Sequence, residues 1–275
     1  MLKLALPAFV AVVTLAYSAP TTAGAWLRSE GEWLLSTSVA TSSADSSWDD
    51  NRRRSSDPCT TRRQSLDVYT EYGYSYYHTL FASAGLADKQ CRSEENVSGL
   101  SDLTVGIRGR LDPFRNGRSW EIALKLPISG ATADAERPGD GELGVEAGVH
   151  FRLAPDPYEN QFISYRGGIW SWGAGIRAWT GGLAHQAWTY GGWSRSLDDG
   201  WGISTRLSAT VSFGGRTAYS DGSKDNDYDK LTASVGVRKS LTRDLGVSVS
   251  VSKALWGRNA DQDVGIRVGI SRMWR

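Results

Sequence analysis

Charged side chains of this chain fall on one set of alternate positions within strand-like stretches, and that spacing limits the chemistry they can do. Glu142, Glu146, His150 and Arg152 share one parity, as do Asp67 with Glu71, Arg108 with Arg110, and Glu121 with Lys125. From residue 168 onward the charged positions assigned to the same side are all basic: Arg177, Arg195, Arg206, Arg238 and Arg267. Acids facing arginines across a confined space set up a transverse field that orients polar solutes. The same groups could instead pair and fill that space. Covalent catalysis would need a nucleophile, a base and an orienting group held together. His78, His150 and His185 are the only histidines, and none stands in a G-x-S-x-G or H-x-S-N setting. No catalytic residue is therefore assigned, and no cofactor or metal site is expected.

The elements that must carry these charges alternate with period two. In residues 101–111, Leu103, Val105 and Ile107 alternate with Thr104, Gly106, Arg108 and Arg110. Successive strand side chains point to opposite faces, so this segment has one apolar face and one wet face. Strand after strand, the wet face carries Arg, Glu and Gly while the apolar face carries Trp, Leu, Val and Ile. The pattern predicts an all-β fold: a closed antiparallel transmembrane β-barrel of about twelve strands, both termini periplasmic. The predicted strands span 32–41, 64–74, 79–87, 101–111, 119–128, 142–153, 168–179, 187–197, 201–213, 229–240, 245–255 and 263–274. Connections after even strands are mostly short. Those after odd strands (41–63, 88–100, 129–141 and 214–228) are long and polar; 154–167, with Pro155 and Pro157, breaks that rule. The phase of 187–197 stays open, because Trp188, Tyr190 and Trp193 compete for the outer face.

Composition agrees. Trp, at 12 residues, and Gly, at 31 of 275, are both abundant. Tryptophan concentrates where membrane meets water. Trp33, Tyr72, Tyr74, Trp120, Phe151, Trp201 and Trp274 collect at the predicted periplasmic strand ends, as an aromatic girdle would. Residues 1–25 read as a cleaved secretory signal: Lys3, an apolar run over 4–16, and Ala23-Gly24-Ala25 as an A-x-A site. Residues 26–275 then form one barrel domain. Without Lys3, 30 basic residues balance 30 acids, which gives no reason to expect a nucleic-acid partner. Cys59 and Cys91 fall in the first two long loops, where an oxidising periplasm favours a disulfide; two free thiols are the alternative. In the outer loops, Arg52-Arg53-Arg54 could engage lipopolysaccharide phosphates, although a solvated loop is the better reading. Asp221, Asp225, Asp227 and Asp229 could hold calcium, although a plain polar loop is the better reading.

Four segments, in this order, carry a family likeness: Glu71-Tyr72-Gly73, Ser98-Gly99-Leu100-Ser101-Asp102-Leu103, Leu124-Lys125-Leu126-Pro127 and Gly257-Arg258-Asn259. With them, the mature chain resembles outer-membrane barrels of the "MetA pathway of phenol degradation" type. That resemblance implies transport of small molecules, aromatic or apolar ones among them, and supplies no catalytic residue. Barrels of that type end on an aromatic residue, whereas this chain ends Trp274-Arg275.

The expectation is an outer-membrane, porin-like channel for passive passage of small molecules. Its lumen and selectivity residues would be Asp67, Glu71, Arg108, Arg110, Glu121, Lys125, Glu142, Glu146, His150, Arg152, Arg177, Arg206, Arg238 and Arg267. Two other classes stay open: a structural or adhesive barrel with a filled lumen, and an outer-membrane lipid hydrolase. Expected partners are outer-membrane lipids and lipopolysaccharide, the barrel-assembly machinery and a small solute. Oligomeric state is not legible.

Overall fold

The computed structural model describes residues 27–90, 97–112, 117–128, 142–153, 168–180, 183–214 and 227–275. In chain order the strands are β1 (Trp33–Trp48), β2 (Arg54–Ser75), β3 (His78–Gln90), β4 (Val97–Leu100), β5 (Leu103–Arg110), β6 (Arg118–Leu126) and β7 (Gly144–Leu153). They continue with β8 (Ile169–Trp179), β9 (His185–Ser196), β10 (Trp201–Phe213), β11 (Asp229–Ser240), β12 (Leu245–Arg258), β13 (Ala260–Asp261) and β14 (Val264–Trp274). Both β4 and β5 pair with β3, and both β13 and β14 pair with β1, so these fourteen segments form twelve staves. Each stave pairs antiparallel with its neighbours in sequence, and β1 pairs with β2 as well as β14, which closes the ring. Closure leaves no unpaired edge, the condition a sheet must meet in hydrocarbon.

Two-residue periodicity decides what each face meets. Val39, Val235 and Val268 are 54%, 60% and 51% exposed, and Ile122, Leu124, Val145, Ile176, Leu207, Val251 and Ile266 are exposed with them. Polar side chains turn inward instead: Glu71, Thr79, Arg108, Ser119 and His150 are buried. An exterior band of β-branched and leucine side chains around a polar interior is a lipid-facing barrel. A soluble sandwich would bury those valines.

The aromatic residues expected to form a girdle lie on the outward face near the termini. Trp33 packs between Tyr72, at 4.6 Å, and Trp274, at 6.4 Å, and Phe151 stacks on Trp172 at 4.0 Å. Lys239 lies over the ring of Trp201. Trp170 and Trp193, cross-strand partners, extend the girdle beyond the seven residues expected.

The first hairpin departs from the sequence reading. Residues 41–63 were expected to loop, but β1 and β2 stay paired up to Trp48 opposite Arg54. The segment's Ser- and Thr-rich stretch lacks an apolar phase because this part of the hairpin rises above the lipid, where neither face needs one. The Asp49 carboxylate closes its turn by accepting from the Asn51 and Arg53 amides, both at 2.8 Å. Residues 1–26, which contain the expected signal peptide, and 154–167 lie outside the described residues. So does the Cys59–Cys91 pairing: Cys91 is not described, nor is the side chain of Cys59.

Candidate solute pathway

A charged network is built where β2, β3, β5, β6 and β7 turn their inward faces to one another. Register alone places its members: Glu71 lies opposite Phe81, Arg108 opposite Thr79 and Glu121, and Glu121 opposite Gly148. Arg108 is the hub. Its guanidinium donates to Glu71 at 3.0 Å and to Glu121 at 2.7 and 3.1 Å, and it lies over the Phe81 ring. Tyr69 donates to Glu71 at 2.6 Å. His150 meets Glu121 through Nε2 at 3.3 Å and the Tyr190 hydroxyl through Nδ1 at 3.0 Å. Such bidentate, charge-assisted bonds are the geometry in which buried ions offset their desolvation. A second pair sits nearer the outer end: Arg177 donates to Glu146 at 2.7 Å and to Gln186 at 2.9 Å.

The chain ahead of β1 enters the same network, which the sequence did not suggest. Gly31 donates to Gly73 O and Gly73 to Glu32 O, both at 2.9 Å, while the Arg28 side chain reaches Glu71. A Cβ on Gly73 would lie 1.8 Å from Ser29 O, so only glycine lets this segment lie against the inner face of β2. Gly73→Val is expected to expel residues 28–32 from the barrel mouth. Trypsin should then cut after Arg28 faster than in the unmodified protein.

The opposite wall is made of small residues. Inward positions of β10, β11, β12, β14 and β1 include Ser204, Ser208, Ser234, Gly236, Ser248, Ser250, Ser252, Gly265, Gly269, Ser38 and Ser42. Three arginines interrupt it. Arg267 is paired with Asp67 at 2.8 Å and Ser38 at 2.9 Å. Arg238 donates to Ser196 at 2.9 Å, and Arg206 lies 3.9 Å over the Tyr190 ring. Among the described residues neither Arg206 nor Arg238 has a carboxylate within ion-pair distance. Exposure separates the two walls: Glu71 and Arg108 are 1% and 2% exposed, whereas Ser204, Arg206 and Arg267 are exposed although they too face inward. Space in the interior is therefore eccentric. It includes a cavity of about 330 Å³ bounded by Arg108, Glu121, Arg177, Trp188, Tyr190 and Arg206.

The remaining expected lumen residues sit at the ends. Arg110 lies over the Tyr76 ring and Arg152 pairs across to Ser171, both at the periplasmic rim. Lys125 lies over Trp179 near the outer end. Glu142 precedes β7 and accepts from Thr180, so it belongs to the outer rim rather than the bore. The open phase of 187–197 resolves with Trp188 and Tyr190 inward, opposite Thr210 and Ser208. Arg195, opposite Ile203, is thereby moved to the outer face near the periplasmic end, where its stem can reach the interface. Nothing in the local pattern foretold this, because the inward aromatics need Gly148 and Gly175 on other strands to make room.

Of the four aspartates weighed for calcium, Asp221 and Asp225 lie outside the described residues; at the outer rim, Asp227 and Asp229 are neutralised by arginine. Arg258 donates to Asp227 at 2.7 Å and to Asp229 at 3.0 Å, and Arg52 reaches Asp229 at 3.5 Å. Among the described residues no cluster of His, Cys, Asp or Glu could hold a metal ion. Arg258 and Asn259 from the Gly257-Arg258-Asn259 segment thus tie three outer hairpins together, Asn259 bonding Asp50 and the Asp227 carbonyl.

The fold is similar to that of the COG4313 outer membrane channel from Pseudomonas putida F1, with a TM-score of 0.73 at 13% identity over 94% of this chain and 100% of that one. The translocator domain of the autotransporter NalP from Neisseria meningitidis is also similar, with a TM-score of 0.52 at 14% identity over 89% of each chain. No family model matches the chain, and no curated protein does. The chain is a closed β-barrel of the bacterial outer membrane.

Proposed function

We propose that this barrel is a passive channel for small solutes, with its bore running along the serine and glycine wall and its charge favouring anions. One observation carries the reading: Glu71, Arg108 and Glu121 are buried, whereas across the interior Ser204, Arg206 and Arg267 are exposed and the serines between them half-buried. Small side chains leave room for water, and the two arginines without a carboxylate partner give that room a positive potential. Like-signed lining charge raises the local concentration of counter-ions and so sets selectivity. The name of the Pseudomonas putida neighbour, an outer membrane channel, agrees with this reading. The wider solute range implied by the sequence resemblance, aromatic compounds included, belongs to the same proposal.

Reversal potential in a planar bilayer under a potassium chloride gradient tests the charge preference. The expected sign is that of chloride permeating faster than potassium, with the preference reduced in Arg206→Gln/Arg238→Gln. Potassium selectivity in the unmodified protein would overturn it. Absence of any current would favour a structural barrel, a reading that rests on the sealed Arg108 side.

A further inference from the structure

Trp188, Tyr190 and Arg206 form a graded surface inside the cavity. Trp188 lies flat on the β7–β8 wall: Cβ atoms on Gly148 and Gly175 would come within 2.6 and 2.5 Å of its ring. Two glycines thus make room for an indole whose other face turns to the interior. His150 stacks beside it at 5.6 Å, and the Tyr190 ring continues the surface at 6.3 Å and 12°. Arg206 ends the row with its guanidinium 3.9 Å over Tyr190. The tyrosine hydroxyl bonds His150 at 3.0 Å, which fixes the ring beneath the cation.

The other lumen cations of this region are already spoken for. Arg108 has Glu71 and Glu121, and Arg177 has Glu146. Arg206 is held by a ring face, which positions a guanidinium without neutralising it, and its donor edge remains open to the interior. An aromatic platform leading to an uncompensated guanidinium matches a planar ring bearing a carboxylate. The guanidinium fork takes the carboxylate in two parallel hydrogen bonds while the ring lies on the indole face. A cavity of about 330 Å³ holds a molecule of one or two rings.

We infer that Arg206 and Trp188 form a binding subsite for small aromatic carboxylates on the solute path. This deepens the channel reading and depends on it for its place in transport, but binding can be measured without conduction. Titration calorimetry of the detergent-solubilised full chain with benzoate and its uncharged counterpart benzamide tests it. Benzoate is expected to bind at least about tenfold tighter than benzamide, and Arg206→Gln to abolish that difference. Trp188→Leu should weaken both ligands together, and Arg195→Gln, on the outer face of the barrel, should leave both within about twofold. Equal binding of the two ligands, no heat with benzoate, or an unchanged benzoate affinity in Arg206→Gln would overturn the subsite. Heat-modifiable mobility on gels shows whether each variant is a folded barrel. If Arg206→Gln does not fold, the benzoate–benzamide ratio of the unmodified protein and of Arg206→Lys decides. Benzoate binding through Arg206 in a barrel that carries no current would retain the subsite and reject the channel; current without benzoate discrimination would do the reverse.

Discussion

Replacing Arg108 by methionine is expected to destabilise the folded barrel by about 3–5 kcal/mol, because it leaves two carboxylates buried without their shared cation. Glu71 and Glu121 are 1% and 8% exposed, and both accept from this one guanidinium. Arg28 and Tyr69 would still hold Glu71, but Glu121 would keep only its contact with His150. Adding Glu121→Gln to the same variant removes the carboxylate left without a cation, since Glu71 keeps Arg28, and should recover a large part of the loss. That non-additivity is the signature of one coupled network. Arg238→Met, which removes a cation bonded to Ser196 alone, should cost less than about 1 kcal/mol. Urea unfolding of barrels refolded in lipid vesicles, followed by tryptophan fluorescence, measures all of these. Equal losses for Arg108→Met and Arg238→Met would show that the network is not what stabilises the sealed side.

The second large effect is expected on conduction. Ser250 faces inward between Gly236 and Arg267 on the small-residue wall. A tryptophan there projects an indole into the space that serine leaves open, and Ser250→Trp should lower single-channel conductance on the order of tenfold. Val251→Trp, one residue on, points to lipid, where an indole is at home, and should leave conductance unchanged. Similar currents in the two variants would place the bore elsewhere.

Much of this architecture could be read from residue order, since lipid and water impose opposite demands on alternate positions. Leu103, Val105 and Ile107 had to face one way and Arg108 the other, and the barrel keeps that phase. Strand limits were legible wherever a strand stayed inside the hydrocarbon, as for 201–213 and 229–240, which the structure reproduces. They failed in 41–63, where the first hairpin stands above the bilayer and alternation carries no information. The candidate site was legible as a set of inward residues but not as a shape. Parity placed Glu71, Arg108, Glu121 and His150 inside, yet which of them pair depends on the register across β2, β3, β5, β6 and β7, which no single strand's alternation reveals. Trp188 was ambiguous for a related reason: its inward pose is permitted by Gly148 and Gly175, residues of other strands. The segment 28–32 left no local trace except Gly73, whose lack of a side chain has meaning only once Ser29 is seen against it.

An open bore requires that water and solute reach the serine wall. Ser250→Cys, in a chain whose Cys59 and Cys91 are replaced by serine, can be exposed to a charged methanethiosulfonate reagent during single-channel recording. The predicted result is a stepwise fall in current as the reagent reacts, with Val251→Cys unaffected. A folded Ser250→Cys barrel whose introduced thiol stays unmodified, or whose current ignores the modification, would contradict an open bore along that wall.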